Sequence, residues 1–552
     1  MRKIDFSLRF AKAVMSLAGI AICVAAYGQT YTPLYTFSIN SGAYSGILPA
    51  GVMAQGRDGK LYSTISNGGS PADGTLFGMT VAGQLNTVYN FCSLGGCLDG
   101  SFPLGGATLG SDGNFYGSTS GGGTKNVGTV FKVNPTTGQQ STLWNFDGGT
   151  DGGVPSMPLL QAQDGSLWRA SAVVYSGTYG AAYKVTTSGT LTPYAFNYTN
   201  GATPNLFAQG TDGNFYGSTR GGGSKGFGVV YKLSPSGVIT VLHNFLAYPT
   251  DGNLPVGILV QGNDGSFYGT TYSGGAHNFG TVYKISASGT FTLLYSFAAG
   301  ISDGAYPYTG LTLGTDGNLY GSTANGGYSN AGILFKITPT GTFTLLHSFC
   351  SISGCAESYY PETPLVQHTN GKFYGNTTGN SLGGSEFFSL DVGLKAFAKL
   401  VNWSGKVGKT VELLGQGFTG TTSVTFNGTA ATFTVVSDTY MTAIVPSGAT
   451  TGFVDVVRPG QTLKSDRKFL VTPAVLSFNP ASGAVGTTVV ITGTSFTGAT
   501  KVSFGGVRDP TYTVDSDSQI TATVPAGAKT GRIQVTTPGG TGTSATDFVV
   551  NP

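Results

Sequence analysis

VGILVQG-NDGS-FYGTT-YSGGAHNFG-TVYKIS-ASGT-FTLLYSF, residues 256–297, reads as four strands and three connections. VGILVQG (256–262) alternates and stops at glycine. The Asp264-Gly265 step suits a two-residue hairpin that accepts positive φ. FYGTT (267–271) is aromatic and β-branched, TVYKIS (281–286) alternates, and FTLLYSF (291–297) makes the fourth strand. A glycine-rich loop joins the second strand to the third. A longer connection carrying Asp303-Gly304-Ala305-Tyr306-Pro307 leads into the next copy.

Seven such copies follow one another. Their turn residue falls at Asp58, Asp112, Asp164, Asp212, Asp264, Asp316 and Asn370, at spacings of 48–54 residues. A period near fifty built of short strands marks radially repeated β units. A four-stranded unit cannot bury both faces alone, so neighbours cover them and ring closure removes exposed ends. The reading is all-β, with a seven-bladed β-propeller over residues 29–401. Tyr62, Tyr116, Trp168, Tyr216, Tyr268, Tyr320 and Tyr374 recur at one position and are expected to pack between blades. Two segments, LYTF (34–37) and LKAFAKLV (394–401), both match the fourth strand. The amino-terminal one is expected to close the ring beside the third strand of the last copy. Edge addition by the spare strand is the alternative.

From residue 402 the period changes. GKVGKTVELLGQGFTGTTSVTFNG and GAVGTTVVITGTSFTGATKVSFGG are two copies of a new pattern, in which Phe418 maps to Phe496 and Pro446 to Pro525. Short alternating strands with Gly, Pro and Asp turns predict β-sandwiches over 402–472 and 473–552. The G-x-G/S-F and ATVP.GA.TG stretches resemble IPT/TIG domains, which implies immunoglobulin-like sandwiches acting as surface or spacer modules. The first copy lacks the proline of FNPASGAVG, so its first strand is expected to be shortened. The seven upstream copies resemble the Gloeo/Verruco tandem repeat of exported bacterial proteins. That resemblance implies export and is nearly silent about activity.

Residues 1–28 read as a signal peptide. Arg2, Lys3, Arg9 and Lys12 precede an apolar run, and Ala26-Tyr27-Gly28 fits a cleavage site. Cys23 raises a lipoprotein reading, but Ile22 stands where a small residue is needed. The whole chain carries a net +3, and the leader alone carries four basic residues against Asp5, so the mature chain is near neutral. That argues against nucleic acid or an anionic membrane as partner. No later stretch is long and apolar enough for a membrane helix, so an exported protein at the cell surface, outside the cell or in the periplasm is expected. Cys92/Cys97 and Cys350/Cys355 occupy the same place in two copies and are expected to form disulfides, each worth roughly 2 kcal/mol in the chain-entropy account. Metal binding is the rival reading, but no histidine lies near either pair.

Two features are expected on the face built by the inter-strand loops. One is an acidic turn at Asp99, Asp151, Asp251 and Asp303, with Asn200 and Glu357 in degenerate copies. The other is a set of basic residues, Lys125, Lys225 and His277, with Arg220 nearby. With Tyr306 they make a candidate ligand ring for an extracellular glycan or a cell-envelope protein. The competing reading is turn chemistry, in which Asp bonds backbone amides and Gly supplies positive φ. Tyr308, Tyr328 and Tyr359 are further loop aromatics suited to stacking. No calcium loop, P-loop, zinc motif or nucleophile elbow is present, so no cofactor, metal or catalytic residue is assigned. The alternative is an extracellular carbohydrate-active enzyme or lyase using loop carboxylates with His277. His368 breaks the pattern of its copies and has no evident partner.

Overall fold

The computed structural model describes residues 28–37, 51–69, 72–149, 151, 153, 158–171, 179–246, 248–351, 358–379 and 385–552. The expected signal peptide lies outside them but for Gly28, as do Cys355 and Glu357. The chain is all-β apart from one short 3-10 turn among these residues. The repeat region forms four-stranded antiparallel sheets in an arrangement consistent with a propeller. Repeat five pairs Gly252–Gln261, Phe267–Gly274, Thr281–Ile285 and Phe291–Ser296 in chain order. The last sheet differs. Its first three strands are Val366–Gln367, Phe373–Thr377 and Glu386–Asp391, and its fourth is Thr30–Thr36, antiparallel to Glu386–Asp391 with Thr32 opposite Ser389. Lys399–Leu400, within the segment that also resembled a fourth strand, pairs instead with Thr410–Leu414 of the first carboxyl-terminal domain.

The hairpin that opens each repeat is not the two-residue turn its Asp-Gly suggests. Gly265 N–H donates to Gly262 O and Gly262 N–H to Ser266 O, which makes a type I turn closed by a left-handed glycine. Gly265 alone takes positive φ, +79°, and Asp264 does not. The aspartate is freed for other work. Its carboxylate accepts from Ser266 N–H (3.1 Å), from the Tyr268 hydroxyl (2.9 Å) and from Lys284 Nζ (2.8 Å). The same turn-to-tyrosine bond recurs from Tyr62, Tyr116, Tyr216 and Tyr320.

Anchored at its hydroxyl, each of these tyrosine rings lies against the next sheet, as does Trp168, whose Nε1 donates to the Ser166 hydroxyl (2.8 Å). Tyr216 stacks on Phe267 at 3.9 Å, Tyr62 on Phe115 at 4.2 Å, and Trp168 packs on Phe215 at 4.3 Å. The buried clusters accordingly mix neighbours, as in Tyr216, Val230 and Phe245 with Leu259, Phe267 and Tyr283. Burying one such ring contributes about 1.5–3 kcal/mol.

A polar belt accompanies the apolar one. Gln209 Oε1 accepts from Gln163 N–H of the preceding sheet (2.9 Å), while its Nε2 donates to Gly213 O of its own turn (3.2 Å). Gln161, Gln261 and Gln367 bridge in the same way to Ser111, Thr211 and Thr315. Gln55 completes the series from first sheet to last, accepting from Thr369 N–H (3.1 Å) and donating to Thr369 Oγ1 (2.8 Å). Phe37, Met53, Leu61 and Phe77 share a buried cluster with Tyr374 and Phe387, so the seventh sheet packs on the first.

The two carboxyl-terminal domains are two-sheet sandwiches. Val411, Phe418, Phe426, Met441 and Val456 fill the first, and Val489, Phe496, Phe504, Ile520 and Val535 the second. A Cβ added at Gly415 would lie 2.2 Å from the Phe418 ring, and one at Gly493 would lie 2.3 Å from the Phe496 ring. The glycine of G-x-G/S-F thus lets the phenylalanine fold back over its own strand. The first strand of the first domain is two residues long, against six (Ala474–Asn479) in the second.

Two substitutions at one site separate packing from polar anchoring. Tyr216→Ala should cost about 3–5 kcal/mol, and Tyr216→Phe only about 1 kcal/mol, read from thermal unfolding.

Candidate functional site

The repeat region has two unlike ends. The hairpin turns gather at one, and the first sandwich sits there. Arg57 of the first turn pairs with Glu412 (2.6 Å), donates to Ser111 O (3.2 Å) and lies 4.7 Å from the Tyr440 ring centroid. The Thr439 hydroxyl donates to Arg57 O (2.7 Å), and Gln416 Nε2 to Thr369 Oγ1 (3.2 Å). The other end carries the glycine-rich loops and inter-repeat connections, where the candidate residues fall.

The four aspartates there are engaged by the chain itself. Asp99 is fully buried and accepts from the Tyr89 hydroxyl (2.7 Å), Ser93 N–H (2.9 Å) and Leu94 N–H (3.2 Å). Asp151 accepts from Trp144 Nε1 (3.0 Å) and Asp147 N–H (3.2 Å). Asp251 meets His243 Nε2 (2.8 Å) and Leu246 N–H (2.7 Å), and Asp303 accepts from Ala298 N–H (2.8 Å). Tyr89, Trp144 and His243 hold equivalent fourth-strand positions, so each polar tip clamps its own connection. Burial, with the Asp147 carboxyl beside it, pushes Asp151 up to about 6. Asp251 pairs with His243, and His277 makes no hydrogen bond among the described residues. Cys92 and Cys97 are joined in a disulfide at the same end.

Lys125, Lys225, Arg220 and His277 are exposed at this end. Tyr306 is half-buried, stacked on Tyr272 at 5.0 Å, while Tyr308 and Tyr328 are 42% and 65% exposed. A second pattern escapes sequence reasoning. Phe102, Thr203, Leu254, Tyr306 and Tyr360, each just before the proline of an inter-repeat connection, all have φ between +49° and +59°. A left-handed non-glycine residue costs about 1–3 kcal/mol. Each is held by its N–H, which donates to a loop carbonyl of the preceding repeat: Asp73, Tyr179, Phe227, Phe279 and Ala331. Phe102, Leu254 and Tyr360 remain 38–40% exposed. The x-Pro step was the available signal, but it gives no sign of the backbone's hand.

The repeat symmetry of the sheets breaks at Arg169. It replaces the glycine of FYGST, is fully buried, and donates to the Ser118 hydroxyl and Ala170 O.

The Gloeobacter/Verrucomicrobia repeat matches residues 17–190 and 159–388, and the IPT/TIG domain matches 399–469 and 473–550. The chain belongs to the Gloeobacter/Verrucomicrobia repeat family. No curated protein matches it at a significant level. TolB from Acinetobacter baumannii is 16% identical, with 62% of this chain and 70% of that chain covered and a TM-score of 0.33. A fungal alcohol oxidase of the AA5 family, in complex with copper, is 12% identical over 79% and 99%, at 0.43. A surface glycan-binding protein from Prevotella bryantii is 21% identical over 29% and 40%, at 0.19. Scores this low carry no argument about activity. Among the described residues no helix is long and apolar enough to cross a membrane.

His368 finds its partner across the last junction of this Gloeobacter/Verrucomicrobia repeat region. Its Nδ1 accepts from Asn370 N–H (3.2 Å), and its Nε2 meets Gly59 O of the first repeat (3.0 Å). Burial holds the imidazole down at about 4. The folded value lies below the ordinary 6.5, so this stabilisation is complete above pH 6.5 and is lost as pH falls towards 4. The loss should approach about 3 kcal/mol. Asp151 acts in the opposite sense, its contribution fading as pH rises from the ordinary 3.8 to about 6. Melting temperature followed from pH 7.5 to 4.5 should therefore fall more steeply in the native chain than in His368→Gln.

Proposed function

We propose that the seven sheets are the blades of one closed β-propeller, and that its loop end is a binding platform for an extracellular glycan. The IPT/TIG pair serves as a stalk on the opposite end. The protein is exported and works at the cell surface or outside the cell. What carries this reading is the row of left-handed residues at equivalent connections, where backbone strain is maintained and apolar side chains stay in solvent. Strain of that kind, repeated and exposed, suits a surface that must be presented rigidly to a partner. Tyr306, Tyr308 and Tyr328 supply faces for sugar stacking. Lys125, Lys225 and His277 supply donors. Asp99, Asp151, Asp251 and Asp303 frame the platform by fixing its connections.

The enzyme alternative needs a free carboxylate beside His277. The nearest-named candidates are bonded within their own repeats, and this favours binding over catalysis.

A glycan array with the purified full chain, followed by titration of the best hit, tests the reading. A polysaccharide ligand should be retained, and Tyr306→Ala/Tyr308→Ala should weaken it at least tenfold without lowering the melting temperature by more than a few degrees. Retention of a cell-envelope protein and no glycan would reassign the ligand. Release of sugar product, abolished by one loop substitution, would make it an enzyme.

A further inference from the structure

Between the sheets and the first IPT/TIG domain lies a cavity of about 290 Å³. One wall is built by inner strands of the first three sheets, including Gln163. The other is built by residues 399–404 with Lys409, Leu414 and Arg467. Three cations line it, Lys399, Lys409 and Arg467, and no aspartate or glutamate does.

Two of these cations have partners of their own. Lys409 Nζ donates to Ser404 O (3.0 Å), and Arg467 Nε pairs with Asp466 (3.1 Å). The Lys399 ammonium makes no hydrogen bond or ion pair among the described residues. Burial pushes its ammonium below the ordinary range, with Asp466 opposing that shift and Arg467 adding to it. Across the cavity, Gln163 Nε2 is buried with no hydrogen-bond partner among the described residues. An unpaired buried donor and a half-buried ammonium that no carboxylate contacts directly are both unfavourable, and a bound anion relieves both. Trp403, half-buried, offers an indole whose centroid lies 5.7 Å from the Arg467 guanidinium.

The volume sits near the lower end for ligand pockets, about 300 Å³, and junctions between domains are where such pockets concentrate. A space of that size admits a single sugar ring. Cations without acids select a carboxylate. An indole with amide side chains suits a pyranose bearing hydroxyls. We propose that this cavity binds one acidic sugar of the uronic-acid type, its carboxylate at Lys399, its hydroxyls at Gln163 and Asn402, and its ring beside Trp403. The site is distinct from the loop-end platform and stands independently of it. Because its walls come from two domains, occupancy holds the sandwich against the sheets.

Calorimetric titration of the full chain with galacturonate, glucuronate, glucose and acetate tests this. At least one uronate should bind, with glucose at least tenfold weaker, and the melting temperature should rise with the uronate alone. Lys399→Gln and Trp403→Ala should each weaken the uronate at least tenfold, whereas Tyr306→Ala/Tyr308→Ala should leave it unchanged. Should a melting curve show Lys399→Gln misfolded, Gln163→Met on the opposite wall provides the same test. Acetate matching the uronates, glucose matching them, no binding by any of the four, or full uronate binding by the folded Lys399→Gln chain would each overturn the assignment.

Discussion

Neighbour-to-neighbour burial is the constraint on which the repeat region depends. A sheet of four short strands has two apolar faces and no core of its own. The second-strand aromatics are therefore placed against the following sheet; Tyr62, Tyr116, Tyr216, Tyr268 and Tyr320 are pinned at the hydroxyl by the aspartate four residues earlier, and Tyr374 by Asn370. The glutamine belt adds a directional component, because each amide joins the backbone of one sheet to the turn of the next. The same demand makes the seventh sheet pack on the first. Gln55 and His368 provide the polar contacts of that junction, and the strand Thr30–Thr36 fills the place that the last repeat leaves open.

Only 10% of residues are charged, and this economy follows from where the charges go. The hairpin aspartates bind tyrosines and lysines of their own sheets. The connection aspartates bind fourth-strand aromatics and turn amides. A carboxylate enclosed by its own chain's donors shapes a loop and is poorly placed to meet a ligand. The loop end instead presents uncharged side chains, Phe102, Leu254, Tyr306 and Tyr360, on a backbone that their neighbours hold in the left-handed region, and these are the side chains of the proposed platform. The first sandwich docks on the opposite end through Arg57 and Glu412, away from the proposed platform.

Much of this architecture was legible in sequence, because periodicity reports burial directly. The four strands, the inter-sheet tyrosines and the sandwich phenylalanines follow from alternation, repetition and turn residues, and the shortened strand before Thr410 from the missing proline of the first IPT/TIG copy. What escaped depends on partners distant in the chain. Gln209 reads as an ordinary strand-end polar residue until its neighbour's backbone is beside it. His368 reads as an irregularity until copy seven meets copy one. Asp264-Gly265 suggested a two-residue hairpin, but the flanking Gly262 and Ser266 make a longer loop, which spares the aspartate for Tyr268. Residues 394–401 resembled a fourth strand because the first strand of a sandwich has the same alternation. The aspartates of the connections drew attention as ligands, yet their partners lie four to ten residues away and fold back onto them.

The proposed ring stands or falls on the strand that links the chain's beginning to its last repeat. Cysteines introduced at Thr32 and Ser389, which face each other across that pair, measure it directly. Mild oxidation of the double variant should give an intramolecular crosslink in nearly every molecule and raise the melting temperature of the repeat region. Failure to crosslink in the folded chain, or crosslinks that join separate molecules, would contradict closure by this strand.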